Sequence, residues 1–426
     1  MAEFIKHAGQ VIVDQVTITT ATGFTQPVLN QVAGIQIFED IFSPFISGNI
    51  VFYDSLDLTS LFPFTGEETV RIKVHTPSFE GKNRVIDQTF YIYKLSDRET
   101  VNQSTVIYRL HFISMEAIVD LNKKMSQCFE GRCSDIVKNI VQKGYGLQSD
   151  KQANIESTPN GIKFISNYWS PVRAINYVAD RSVNLKNSPT YLFFENRNGL
   201  NFISLDTLYK APALYNFTQG NKSRDFRDDG SSVVDMDNDM NNILDISVPE
   251  GFDYMTGILD GMYASRQISF DPVTKKYTVK NFDMLSDFRK NNHLNDFPIT
   301  SKKVIRKNNS TILITPKDYG NFNNFGDVTD STVSQKRLSL MKQLNAYRIH
   351  IRMHGRTDYT IGQKVNLTLY KNQPIKNAES NTDLIDKVFS GNYLIAAINH
   401  SISREEHICT MEVVKESLMI NLDKGI

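Results

Sequence analysis

Cysteine is scarce in this 426-residue chain, which has three: Cys128, Cys133 and Cys409. An odd, sparse set excludes a disulfide-stapled secreted scaffold and points to synthesis in a reducing cytoplasm. Cys128 and Cys133 have no second ligand pair to complete a structural zinc site. Net charge is missing too, because 47 Lys plus Arg balance 47 Asp plus Glu. Tight wrapping of DNA needs a basic excess against phosphate and is therefore not expected. A neutral chain is prone to self-association, which suits a component of a large assembly. No apolar run approaches the roughly 20 residues that span a bilayer. The N-terminal MAEFIKHAGQVIVDQVTI lacks the apolar core and cleavage site of a signal peptide, so no membrane insertion is expected.

Catalytic signatures are equally lacking. There is no phosphate-binding Gly-rich loop with a following Lys-Ser/Thr, no Gly-x-Ser-x-Gly elbow and no Cys-x-x-Cys. "DMDNDM" sets Asp235, Asp237 and Asp239 at alternate positions, but Met240 and Ile246 stand where a calcium loop needs Gly and Glu. That stretch reads as a solvated acidic loop. Lys302, Lys303, Arg306 and Lys307 read as a solvated basic one. Glu116 and Asp120 fit a surface helix rather than a carboxylate pair, and His111, His350 and His354 lie on strands. The densest cluster is "NHSISREEH", where His400, Glu405, Glu406 and His407 fall within eight positions. The spacing matches neither His-Glu-x-x-His nor His-x-x-Glu-His, since Ser403 stands where the latter needs a histidine. We expect a charged hairpin loop there, facing solvent or another subunit, with no catalytic residue, metal site or cofactor anywhere in the chain.

What is present is a core-forming composition, 40% hydrophobic and 22% charged, in a chain long enough for two to four domains. Short β-branched and aromatic runs fill the first 114 residues: "QVIVDQVTIT", "GNIVFYD", "TVRIKVHT", "QTFYIYKLSD" and "TVIYRLHFIS". Helical periodicity follows at "MEAIVDL", at "CSDIVKNIVQKGYG" with Ser134 as a candidate cap, and at "WSPVRAINYVADRS" with Ser170 as cap and Pro171 first in the helix. "TYLFFENRNGLNFISLD" predicts a hairpin turning at Asn196 to Gly199. Residues 216–242 are polar and read as a loop or linker. Strand patterns return at "ILDISV", "SRQISFD" and "KKYTVKNFD". After an irregular stretch and a helix at "TVSQKRLSLMKQLNAY", they close the chain with "RIHIRMH", "GQKVNLTLY", "GNYLIAAINHS" and "HICTMEVVKES".

The chain also repeats itself. "IFSPFISGNIVFYD" (41–54) aligns without a gap on "ILDGMYASRQISFD" (258–271). "FTGEETVRIKV" (64–74) resembles "TIGQKVNLTL" (360–369), and "FYIYKLSDRETVNQSTVIYRLHFIS" (90–114) matches "YLIAAINHSISREEHICTMEVVK" (393–415), with Leu110 over Met411 and Phe112 over Val413. Three matches in one order predict two related β domains. The expected class is a mixed, β-rich α+β protein. Its divisions are a first β domain at 1–114, an α+β domain with trailing polar loop at 115–240, a discontinuous second β domain at 241–283 and 345–416, an inserted small domain at 284–344, and a tail at 417–426.

"FEDIFSPFISGNIVFYDSLDLTSLFPFTGEETVRIKV" resembles the first tube-like domain of baseplate hub proteins from contractile-tailed bacteriophages. "CSDIVKNIVQKGYG … WSPVRAINYVADRS … YLFFENRNGLNFISLD" is similar to the next domain of those hubs and of type VI secretion spike proteins. "FSGNYLIAAINHSISREEHICTMEVVKES" looks like the end of their second tube domain. The resemblance implies two antiparallel β-barrel tube domains and a homotrimer, whose doubled domains make a pseudo-six-fold ring. Such a ring adapts a hexameric tail tube to a trimeric central spike. It further implies contacts with the spike, with tube or tube-initiator proteins, with the tape-measure protein and with surrounding wedge proteins, and transient passage of DNA through the lumen. The chain ends at Ile426 without a fused spike domain, so the spike is expected to be a separate chain. A β-rich tail protein that binds a host surface or glycan is the alternative reading.

Overall fold

The computed structural model describes residues 5–61, 64–78, 84–102, 105–220, 224–226, 232–234, 239–272, 274–301, 311–316, 333–371 and 384–423. Thirteen strands make one continuous sheet. In chain order they are β1 (Ile12–Thr19), β2 (Thr25–Pro27), β3 (Val32–Asp40), β4 (Ser47–Asp54), β5 (Thr69–His75), β6 (Val85–Asn102) and β7 (Thr105–Ile113), then β8 (Tyr215–Gln219), β9 (Asn242–Glu250), β10 (Tyr347–His354), β11 (Lys364–Thr368), β12 (Gly391–Ile402) and β13 (His407–Lys415). Their period-two patterning gives each strand one apolar face. In β5, Val70, Ile72 and Val74 point inward, while Arg71 and Lys73 point out.

The first β unit runs β2-β1-β5-β6-β7-β4-β3, antiparallel throughout. Its inner faces bury one core that includes Val16, Ile37, Phe52, Ile72, Phe90 and Phe112. The Val28 amide, next after β2, donates to the Val16 carbonyl of β1 at 2.9 Å and extends the β1–β2 pairing. The second unit is a closed barrel, β12-β11-β8-β9-β10-β13 and back to β12. Residues 216–219, expected within the polar stretch, form β8 together with Tyr215 instead. It runs parallel to both β9 and β11, while every other pair in the ring is antiparallel.

The two units share one strand plan. Setting β5-β6-β7 on β11-β12-β13 also sets β4 on β10, β3 on β9 and β1 on β8, in the same neighbour order. One irregularity of the ladders coincides as well. The β6–β7 ladder slips between Ile92 and Lys94, and the β12–β13 ladder slips between Ile395 and Ala397. This corrects the first of the three sequence matches. Ala264–Phe270, aligned on β4, pairs with Tyr277–Asp283 and Ile312–Pro316 in a separate three-stranded sheet; the topological partner of β4 is β10.

Between the β units lies an α+β unit. Helices Cys133–Gln142 and Pro171–Ala179 pack their apolar stripes with two small sheets around Val137, Ile140, Ile175, Tyr191 and Phe202. Ser170 caps the second helix, accepting from the Arg173 amide, with Pro171 following it. Ser134 does not cap the first: Arg132 holds that position, and Ser134 lies inside the helix, its amide donating to Thr158 Oγ1 at 2.9 Å. The hairpin Tyr191–Asn196/Gly199–Ser204 forms as read. Among the described residues no helix is long and apolar enough to cross a membrane.

One glycine tests the packing of the first unit. Gly48 on β4 faces Phe112 on β7 and Ile37 on β3. A Cβ there would overlap the Gln36 carbonyl oxygen and the Phe112 ring. Gly48→Ala is expected to cost about 1–3 kcal/mol through overpacking, read as a lower urea midpoint at unchanged m-value.

Candidate functional site: the joint between the two β units

β12 changes partners along its length. Gly391–Leu394 pair with β11; after the slip at Ala396, Ala397–Ile402 pair with Asp40–Ile35 of β3. From Leu394 to Ile402 the other edge of β12 stays on β13. The bulge directs one barrel strand out of its own ring and onto the neighbouring unit. At the turning point the Ile41 amide donates to the Ala396 carbonyl at 2.9 Å.

Buried polar contacts lock this joint. Thr76 and Thr357 exchange amide-to-hydroxyl bonds, Thr76 N to Thr357 Oγ1 at 3.1 Å and Thr357 N to Thr76 Oγ1 at 3.0 Å. Arg197, from the α+β unit, donates to the Thr357 carbonyl, and Gln88 of β6 donates to the Arg197 carbonyl at 3.0 Å. Glu39 is buried on β3, where its carboxylate accepts from the Thr360 hydroxyl and from the Ile361 amide. Burial pushes its pKa up to about 7, against the opposing pull of Thr360 and Arg197. Glu195 ties the α+β unit to the first β unit by accepting from the Ile46 amide at 3.1 Å. Lys151 bridges Glu195 and Glu116 at 2.5 and 2.6 Å.

"NHSISREEH" is the hairpin between β12 and β13, with residues 403–406 as its connection. Glu405 and Glu406 are exposed, whereas Arg404 reaches back to the Asn30 and Val32 carbonyls of the first unit. His400 and His407 overturn the solvent-facing expectation: both are fully buried. His400 Nδ1 lies 3.0 Å from His407 Nε2, and Cys409 Sγ lies 3.3 and 3.4 Å from those nitrogens. Reading along the sequence missed Cys409 as their companion. The available signal was cross-strand: His407 and Cys409 alternate on one strand, and His400 stands opposite Cys409.

The other residues weighed in the sequence are dispersed. Glu116 is held by Lys151 and Ser149, and Asp120 accepts from the Val172 amide at 2.7 Å. His111 meets Ser96 Oγ at 2.9 Å, and His350 meets Glu412 at 3.2 Å. Cys128 is exposed and Cys133 buried, both as free thiols. Asp235, Asp237, Lys302, Lys303, Arg306 and Lys307 lie outside the described residues.

No family model matches the chain. It is 23% identical over 419 residues, 92% of each chain, to "Probable baseplate hub protein gp334" of Vibrio phage KVP40. Its fold matches that of a tail protein from Neisseria meningitidis MC58, with TM-score 0.55 at 10% identity over 94% of this chain and 96% of that one. It also matches the 43 kDa tail protein of prophage MuSo2 from Shewanella oneidensis, with TM-score 0.52 at 10% identity over 95% and 98%. The chain is thus similar along nearly its whole length to a phage baseplate hub protein and shares the fold of phage tail proteins, as the resemblance read from its sequence implied.

Glu39 makes the joint sensitive to pH. Its folded pKa of about 7 exceeds the ordinary 4.5, so the folded state binds more protons between those values. Its contribution is complete below about pH 4.5 and is lost as pH rises through about 7. Glu39→Gln is expected to remove, between pH 5 and 7.5, a decline on the order of a few kcal/mol that the unmodified chain undergoes. Urea unfolding at a series of pH values measures it, and parallel curves for the two proteins would contradict it.

Proposed function

We propose that the chain is a structural baseplate hub subunit of a contractile phage tail, without enzymatic activity, residing in the virion after assembly in the host cytoplasm. Three copies form a pseudo-six-fold ring that joins a hexameric tail tube to a trimeric central spike and leaves a channel for DNA. Tube-initiator, tape-measure and wedge proteins are the further partners this reading carries.

One observation supports the ring above all. Within the chain, β3 of the first unit pairs with the distal half of β12 of the second. By the shared strand plan, β9 is the counterpart of β3, and the distal half of β6 is the counterpart of that part of β12. Among the described residues, Leu244–Glu250 of β9 have a strand partner on β10 alone, and Lys94–Asn102 of β6 on β7 alone. Each chain therefore carries one joint already made and two complementary edges at which to repeat it. Pairing β9 of one copy with β6 of the next is a heterologous contact, which closes into a ring when the rotation allows. Three copies would alternate internal and intermolecular joints around six similar units. Exposed Leu244 and Val248 on β9, and Tyr93 and Val101 on β6, are side chains this contact would cover.

By light scattering the purified chain is expected to have three times its monomer mass, or, with its spike, to contribute three copies to the complex. A strict monomer in both conditions would sink the ring. Leu244→Lys with Val248→Lys, at positions already exposed, is expected to weaken trimer formation at least tenfold with little change in monomer stability, because charge blunts an edge strand. The same change at Ile314, exposed on the separate sheet, serves as the control and should leave assembly intact.

A further inference from the structure

We propose that His400, His407 and Cys409 form a buried binding site for a closed-shell metal ion, copper(I) in preference to zinc(II), which staples the hairpin end of the second barrel. The proposal does not depend on the ring.

The three side chains are set by the ladder. His407 and Cys409 share the inner face of β13, and His400 is the direct cross-strand neighbour of Cys409. Their nearest donor atoms form a triangle with edges of 3.0, 3.3 and 3.4 Å. A three-coordinate metal about 2.0–2.1 Å from imidazole nitrogens and about 2.3 Å from a thiolate spans ligand edges of roughly 3.6–3.8 Å. The site therefore needs to open by about half an ångström. All three residues are fully buried.

The surroundings are built for ligation. Gly355 packs flat against the His407 ring, where any side chain would overlap it, and its amide donates to the His407 carbonyl at 2.7 Å. In the metal-free arrangement only one proton fits between the facing nitrogens. One imidazole must then keep an outer N–H, and neither His400 Nε2 nor His407 Nδ1 has a full partner for it.

Charge and coordination number select the ion. A ligating imidazole gives its nitrogen lone pair and is neutral, and both rings are fully buried. Binding exchanges the thiol proton of Cys409 for the metal: one S–H bond breaks, one S–metal bond forms and one proton leaves. Copper(I) with one thiolate is then neutral, as a dry core demands; zinc(II) would retain a buried positive charge. Zinc also takes four ligands, and among the described residues no fourth His, Cys or carboxylate joins the cluster.

The full chain is to be produced in cells supplied with copper or zinc, purified anaerobically, and its metal counted by plasma mass spectrometry. About one copper(I) per chain is expected, bound by two nitrogens and one sulfur in X-ray absorption. Cys409→Ser should lower occupancy at least tenfold, while Cys133→Ser should keep it. Retention of zinc in preference to copper overturns the choice of ion. Folded, unmodified chain with under one-tenth of an ion from both media overturns the proposal and leaves a hydrogen-bonded triad. So does an absorption spectrum without sulfur, a reading that stands even if Cys409→Ser does not fold.

Discussion

The architecture depends on one strand serving two rings. β12 can close its own barrel and also bind β3 because the extra residue at Ala396 bends it between Leu394 and Ala397. A straight strand would keep its edge on β11 and leave β3 unpaired. The hydrogen bonds of this ladder are each worth only about 0.5–1.5 kcal/mol net. Their larger effect is geometric, because a register slip of one residue would turn every side chain of Ala397–Ile402 to the opposite face. Both neighbouring cores constrain that register. Ile398 belongs to the core of the second unit and Ile402 to that of the first.

Polar groups at the joint follow from the same bend. Where two curved sheets touch along one edge, backbone amides and carbonyls of adjoining loops are buried without ladder partners, and side chains must supply them. Thr76 and Thr357 supply each other, Glu39 takes the Ile361 amide, and Arg197 brings the α+β unit to the same place. Glu39 stands apart, since a buried carboxylate with neutral partners is poorly stabilised as an anion. The joint gains specificity from it and gives up some stability in neutral solution.

Strand identity was largely legible in the sequence, because alternation such as that of Val70, Ile72 and Val74 is written locally. The repeat was legible where both copies kept hairpin and strand together, as in β6-β7 and β12-β13. It failed at 258–271, where a short apolar pattern resembled β4 while the equivalent place in the barrel was taken by β10. β8 escaped notice because five residues, "YNFTQ", abut a polar stretch and pair only with strands distant in the chain. The His400, His407 and Cys409 cluster was hidden differently. A linear scan weighs charge and spacing, which drew Glu405 and Glu406 into the group. A hairpin register removes them to the surface and brings in the thiol.

The β3–β12 joint also sets a schedule for synthesis. The first unit has all its strands once residue 113 is made, yet the β3 partner begins at residue 397, roughly 280 residues later. At ordinary translation rates that interval lasts roughly a quarter of a minute to a minute. During it β3 stands as a bare, partly apolar edge, with Ile35, Ile37 and exposed Phe38 on or beside it. The nascent chain therefore carries this edge of β3 unpaired for that interval. Its yield in a cell is governed as much by what shields that edge in the meantime as by the stability of the finished fold.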